Sequence, residues 1–68
     1  MTKIEFKVAG MTWKHCEIAV VNALKDLGAE NVSANKDSGQ VVVEYDADVV
    51  SVEDMRKEII EAGYEVIS

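Results

Sequence analysis

The chain has 68 residues, 49% of them hydrophobic, with one Cys, no Pro, and 13 acidic against 7 basic side chains for a net charge of −6. That length sets one small domain, residues 1–68, burying only about 60% of its unfolded surface, and its β-branched apolar content excludes a disordered segment. The scattered acids exclude the basic footprint that nucleic acid or an anionic membrane surface requires. No apolar run is long enough for a membrane span or a signal peptide, and a lone Cys makes no internal disulfide, so the expected compartment is the cytoplasm.

Lys3-Ile4-Glu5-Phe6-Lys7-Val8 alternates charge and hydrophobe at period two, which predicts a half-buried strand with Ile4, Phe6 and Val8 inward. From about Lys14 to Leu27 the period becomes helical. Ile18, Val21, Leu24 and Leu27 form the expected inner stripe, widened by Ala19, Val20 and Ala23, with Thr12 as N-cap and Gly28 as C-cap. Asn31–Asn35 and Gln40–Tyr45 read as strands, and Lys36-Asp37-Ser38-Gly39 between them is turn chemistry, giving an antiparallel hairpin. Ser51-Val52-Glu53-Asp54 is a capping-box variant that opens a second helix. Its inner face is Val52, Met55, Ile59 and Ala62, and Gly63 closes it. Tyr64-Glu65-Val66-Ile67 reads as a short last strand. The order βαββαβ implies an α+β fold of the ferredoxin-like kind, a four-stranded antiparallel sheet with two helices on one face.

The chemistry concentrates in Gly10-Met11-Thr12-Trp13-Lys14-His15-Cys16, where strand hands over to helix and where the only Cys, His and Trp fall within four residues. Cys16 sits near the first helical turn, where amides and the helix dipole favour thiolate; Lys14 assists and Glu17 opposes. Such a thiolate is a nucleophile or a soft-metal ligand, against the alternative of a Cys that only packs. His15 and Met11 are candidate additional ligands. Adjacent helical residues point about 100° apart, so the competing reading for His15 is a solvent-facing group beside the thiol. For Met11 it is a buried prop under the loop. There is no Ser/His/Asp set, no phosphate-cradling loop and no Cys–His dyad, so the chain is not expected to be an enzyme.

Gly10-Met11-Thr12-x-x-x-Cys16, together with Ala62-Gly63-Tyr64, resembles the heavy-metal-associated domain, and the likeness covers essentially the whole chain. His15 directly before Cys16 is similar to the bacterial and archaeal copper chaperones. The resemblance implies Cu(I) held between two thiolates of a Met-x-Cys-x-x-Cys loop and passed by ligand exchange to a copper-transporting P-type ATPase or a similar trafficking protein. It also implies that Tyr64 shields the loop, with Gly10, Thr12 and Trp13 completing its surroundings. Beginning at Met1 and ending after the last strand pattern favours a free-standing chaperone over an excised transporter domain.

Trp13 stands where the family's first Cys belongs, and Cys16 matches the second. Cu(I) favours two soft ligands, so half of the intramolecular site is gone. Three consequences follow as expectations. Cys16 from two protomers shares the metal in a bridged homodimer. Alternatively the Trp13 ring covers a Cu(I) held by Cys16 with His15 or Met11, although cation–π attraction of about 0.5–2 kcal/mol does not replace a thiolate. In the third, the domain is a metal-free protein-interaction module, or an altered variant of a copper chaperone, with Trp13 as anchor or probe. Hg(II), Zn(II) and Cd(II) remain alternatives to Cu(I) for one Cys and one His.

Overall fold

A computed structural model of the chain describes residues 2–67. The elements run β1 (Thr2–Ala9), α1 (Lys14–Leu27), β2 (Asn31–Asn35), β3 (Gln40–Tyr45), α2 (Val52–Glu61) and β4 (Glu65–Val66). This is the expected ferredoxin-like order; the outermost positions assigned to the domain, Met1 and Ser68, lie outside the described residues.

The sheet order is β2-β3-β1-β4, every pair antiparallel. Register follows from the alternation. Ile4 lies opposite Val43 and Phe6 opposite Val41, Val32 and Ala34 meet the same two valines from the other side, and Val8 meets Val66. With side chains alternating at period two, these residues share one face. Val20 and Leu24 of α1 and Met55 and Ile59 of α2 cover that face, and all four are fully buried. Each such side chain contributes about 1.5–3 kcal/mol when buried, and no polar side chain is buried among the described residues.

Antiparallel pairing brings three connections to one end of the molecule: the loop between β1 and α1, the β2–β3 turn, and the Gly63-Tyr64 exit from α2. The turn is seated against β1. The Val8 N–H donates to the Gly39 carbonyl at 2.7 Å. Gly39 has φ +74°, and a Cβ there would stand 2.6 Å from the Val8 oxygen, so only glycine fits.

Four expectations about helix and strand detail are corrected. Thr12 is exposed and does not cap α1. The cap residue is Trp13, extended at φ −125° and ψ 154°, with no side-chain hydrogen bond. Ile18 is 48% exposed, because the inner line of α1 runs through Cys16, Val20, Leu24 and Leu27 at three- to four-residue steps. Ala62 is exposed, since it is the cap of α2 and no longer part of its inner face. Tyr64 and Ile67 both fall outside β4: the Tyr64 N–H is still engaged with the Ile59 carbonyl of the helix end at 3.2 Å, and Ile67 is exposed beyond the last paired residue.

Candidate functional site

Cys16 is the third residue of α1, half-buried, with its side chain packed against the edge of the core. Its N–H closes the first turn on the Trp13 carbonyl at 2.9 Å. Tyr64 and the backbone of Trp13 and Thr12 hold its thiol below the ordinary value, against an opposing effect of burial. The Tyr64 hydroxyl is the largest of these influences, and the same contact pushes the phenol above its own ordinary value. Hydrogen bonds to a charged form favour that form, so both directions have one cause.

Trp13 caps α1 without offering a side-chain acceptor, so no side chain claims the first amides of the helix. The Tyr64 ring lies on Gly10, where a Cβ would come within 3.4 Å of Cδ1. Gly10 has φ +97°. Its missing side chain therefore permits both the turn out of β1 and the seat of the Tyr64 ring.

The structure brings Cys16, Tyr64, Gly10 and the amides of Thr12 and Trp13 together. It sets the other candidates apart. Met11 is 4% exposed and belongs to the core cluster, beneath the loop. His15 and Lys14 are exposed, and neither is among the groups acting on the sulfur. Trp13 is 73% exposed. Glu17, expected to oppose the thiolate, is not among those groups either. Its carboxylate accepts the Lys36 N–H of the β2–β3 turn at 2.6 Å. Nothing in the local sequence signals this contact, which joins residues 19 apart.

Among the described residues no three His, Cys, Asp or Glu side chains gather as a metal cluster, and no helix is long and apolar enough to cross a membrane. The soft donor at this end is the single free thiol of Cys16, which supplies half of what a two-coordinate soft cation needs.

Residues 5–65 match the model of the heavy-metal-associated domain. The copper chaperone CopZ of Staphylococcus epidermidis is 42% identical over 67 residues, covering 97% of this chain and 98% of that protein. CopZ of Staphylococcus aureus is 37% identical over 68 residues, covering 98% of this chain and 100% of that protein. Among solved structures, a CopZ metallochaperone superposes with a TM-score of 0.94 at 34% identity, over 97% of this chain and 100% of its own. A copper-binding domain from the P-type ATPase HMA7 superposes at 0.93 with 31% identity, over 100% of this chain and 96% of its own.

Proposed function

The chain belongs to the heavy-metal-associated domain family, and from that membership we propose that it carries Cu(I) as cargo on a single-thiolate half-site, Cys16. It is a binding domain and not an enzyme. The observation that carries the reading is the one thiol of the chain, Cys16, half-buried in the first turn of α1 at the edge of the core, with Tyr64 and the loop backbone holding it below its ordinary value. Such an arrangement favours the thiolate, the form that ligates a soft metal.

Cu(I) is content with two thiolates, so the second comes from outside the chain. It is supplied either by Cys16 of a second copy, giving a metal-bridged homodimer, or by a thiolate of the protein that receives the metal. The relatives that are copper chaperones, and the neighbour that is a P-type ATPase domain, point to a copper-transporting ATPase or a similar trafficking protein as that receiver. They also support a cytoplasmic location. Hg(II) shares the preference for few, soft ligands. Zn(II) and Cd(II) fit less well, because a tetrahedral site asks for more ligands than one Cys and an exposed His15 offer. Tyr64 shields the sulfur and holds it by hydrogen bond, while Met11 supports the loop from below.

A second reading has its own observation. Trp13 is 73% exposed beside the sulfur, as an aromatic anchor for a protein partner would be. On that reading the domain docks without metal.

Anaerobic titration with Cu(I) against a strong competing chelator, with sedimentation mass followed in parallel, separates these readings. One Cu(I) retained per two chains with doubled mass supports the shared half-site. One Cu(I) per monomer means that His15, Trp13 or Met11 has become a ligand. No retained copper, together with self-association that Trp13→Ala removes, supports the metal-free module and overturns the carrier reading.

A further inference from the structure

Glu17 follows Cys16 directly and plays no part in the hydrogen bonding of the sulfur. It nevertheless makes the shortest side-chain hydrogen bond between separate elements among the described residues. Its Oε2 accepts the Lys36 N–H at 2.6 Å in a half-buried setting. The other such bond, Gln40 to Glu5 at 2.8 Å, lies exposed on the sheet.

Both ends of the Glu17 bond are themselves fixed. The turn that carries Lys36 closes through the Gly39 N–H on the Asn35 carbonyl at 2.8 Å and is pinned to β1 through Val8 at 2.7 Å. The first turn of α1 closes through Cys16 on Trp13. The carboxylate therefore ties the cysteine's own helical turn to the end of the sheet. Neighbouring residues on a helix diverge by about 100°, so the bond also holds the negative charge to the flank of the helix and off the sulfur.

We infer that Glu17 is a positioning residue for Cys16: its bond to the β2–β3 turn fixes the first turn of α1 and with it the seat of the Cys16 side chain at the edge of the core. This deepens the metal-carrier reading and rests on it for its purpose. The test needs no metal, so its failure and the failure of that reading are told apart.

The experiment compares wild type, Glu17→Ala and Glu17→Gln without metal, by amide hydrogen exchange and by alkylation of Cys16 with a neutral reagent. Alkylation is followed against pH up to its plateau, so that the plateau rate reports how well the sulfur is held and not how much of it is thiolate. In Glu17→Ala the Lys36 amide is expected to exchange about tenfold faster, the scale for losing a bond to a charged acceptor. Cys16 is expected to alkylate several-fold faster, because a thiolate freed from its seat at the edge of the core is more exposed. Amides of Met55 and Ile59 in α2 are expected to stay as they are. Glu17→Gln keeps an acceptor oxygen and should hold both rates near wild type. Faster Lys36 exchange with unchanged alkylation would show a local tie that does not position the sulfur. Glu17→Gln alkylating as fast as Glu17→Ala would show that charge, and not the bond, is what matters. Either result overturns the inference.

Discussion

The two helices of this fold begin in opposite ways. At α2 the start is self-sufficient: the Ser51 hydroxyl accepts the Asp54 N–H at 3.2 Å, and Glu53 and Asp54 put negative charge on the positive end of the helix dipole. At α1 the residue in the same position is Trp13, which offers no side-chain acceptor. The α2 start is stabilised by its own sequence. The α1 start is held by the rest of the molecule: Met11 in the core, Glu17 on the β2–β3 turn and Tyr64 from the end of α2. One junction is stabilised within its own four residues, the other by contacts from distant parts of the chain.

The strongest way to break this contrast is at the ligand itself. Cys16→Ser leaves the helix start with a hard oxygen and is expected to abolish copper retention against a strong chelator. Trp13→Cys is expected to raise Cu(I) affinity by orders of magnitude and to move the stoichiometry to one metal per monomer, since two thiolates then stand at the family's spacing. Competition titration with mass detection reads both. If Trp13→Cys leaves affinity unchanged, the missing thiolate is not what limits this site.

The next effect is on stability and tests the dependence of the α1 start on tertiary support. Gly39→Ala places a Cβ 2.6 Å from the Val8 oxygen in a positive-φ residue. Left-handed backbone and a disturbed bond to β1 together are expected to cost about 2–3 kcal/mol in chemical denaturation. Ser51→Ala removes one local cap and is expected to cost about 1 kcal/mol. Thr12→Ala, at an exposed position that caps nothing, is expected to change stability by no more than about 0.5 kcal/mol. A Thr12→Ala loss equal to that of Ser51→Ala would erase the distinction between the two junctions.

The same contrast explains what was legible in the sequence. The cap at Ser51 lies within four consecutive residues, Ser51 to Asp54, so the pattern alone identifies it. The strands β1 and β3 read correctly because Ile4, Phe6 and Val8, and then Val41, Val43 and Tyr45, alternate without interruption, and a buried face tolerates only one register. At α1 the local signals misled. Thr12 is a good cap by type and Ile18 a good core residue by type, yet Cys16 takes the inner line and leaves Ile18 half in water. Cys16 stood out as the only thiol, at a helix start. Tyr64 entered only through the family resemblance, because its contact with Cys16 spans the chain. Glu17 was read through its charge alone, and its partner is a backbone amide that no residue type announces.

The smallest expected effect is also the one that isolates the Tyr64 contact. A hydroxyl that donates to a thiolate stabilises the deprotonated sulfur and the protonated phenol together, which is why the thiol falls below 9.0 and the phenol rises above 10.0. A lowered thiol contributes stability that is fully present above its unfolded value and is lost as pH falls through the folded one. A raised phenol contributes stability that is present below its unfolded value and is lost as pH rises through the folded one. The bond therefore supports the fold most between 9.0 and 10.0, and both groups lie near solvent, so the gain is slight. Tyr64→Phe keeps the ring on Gly10 and removes only the donor. Its alkylation profile is expected to shift to higher pH, with a slower rate at neutrality and a faster one once the thiol is fully ionised. If the profile stays where it is, the amides of Thr12 and Trp13 suffice, and the open helix start by itself prepares the sulfur for its ligand.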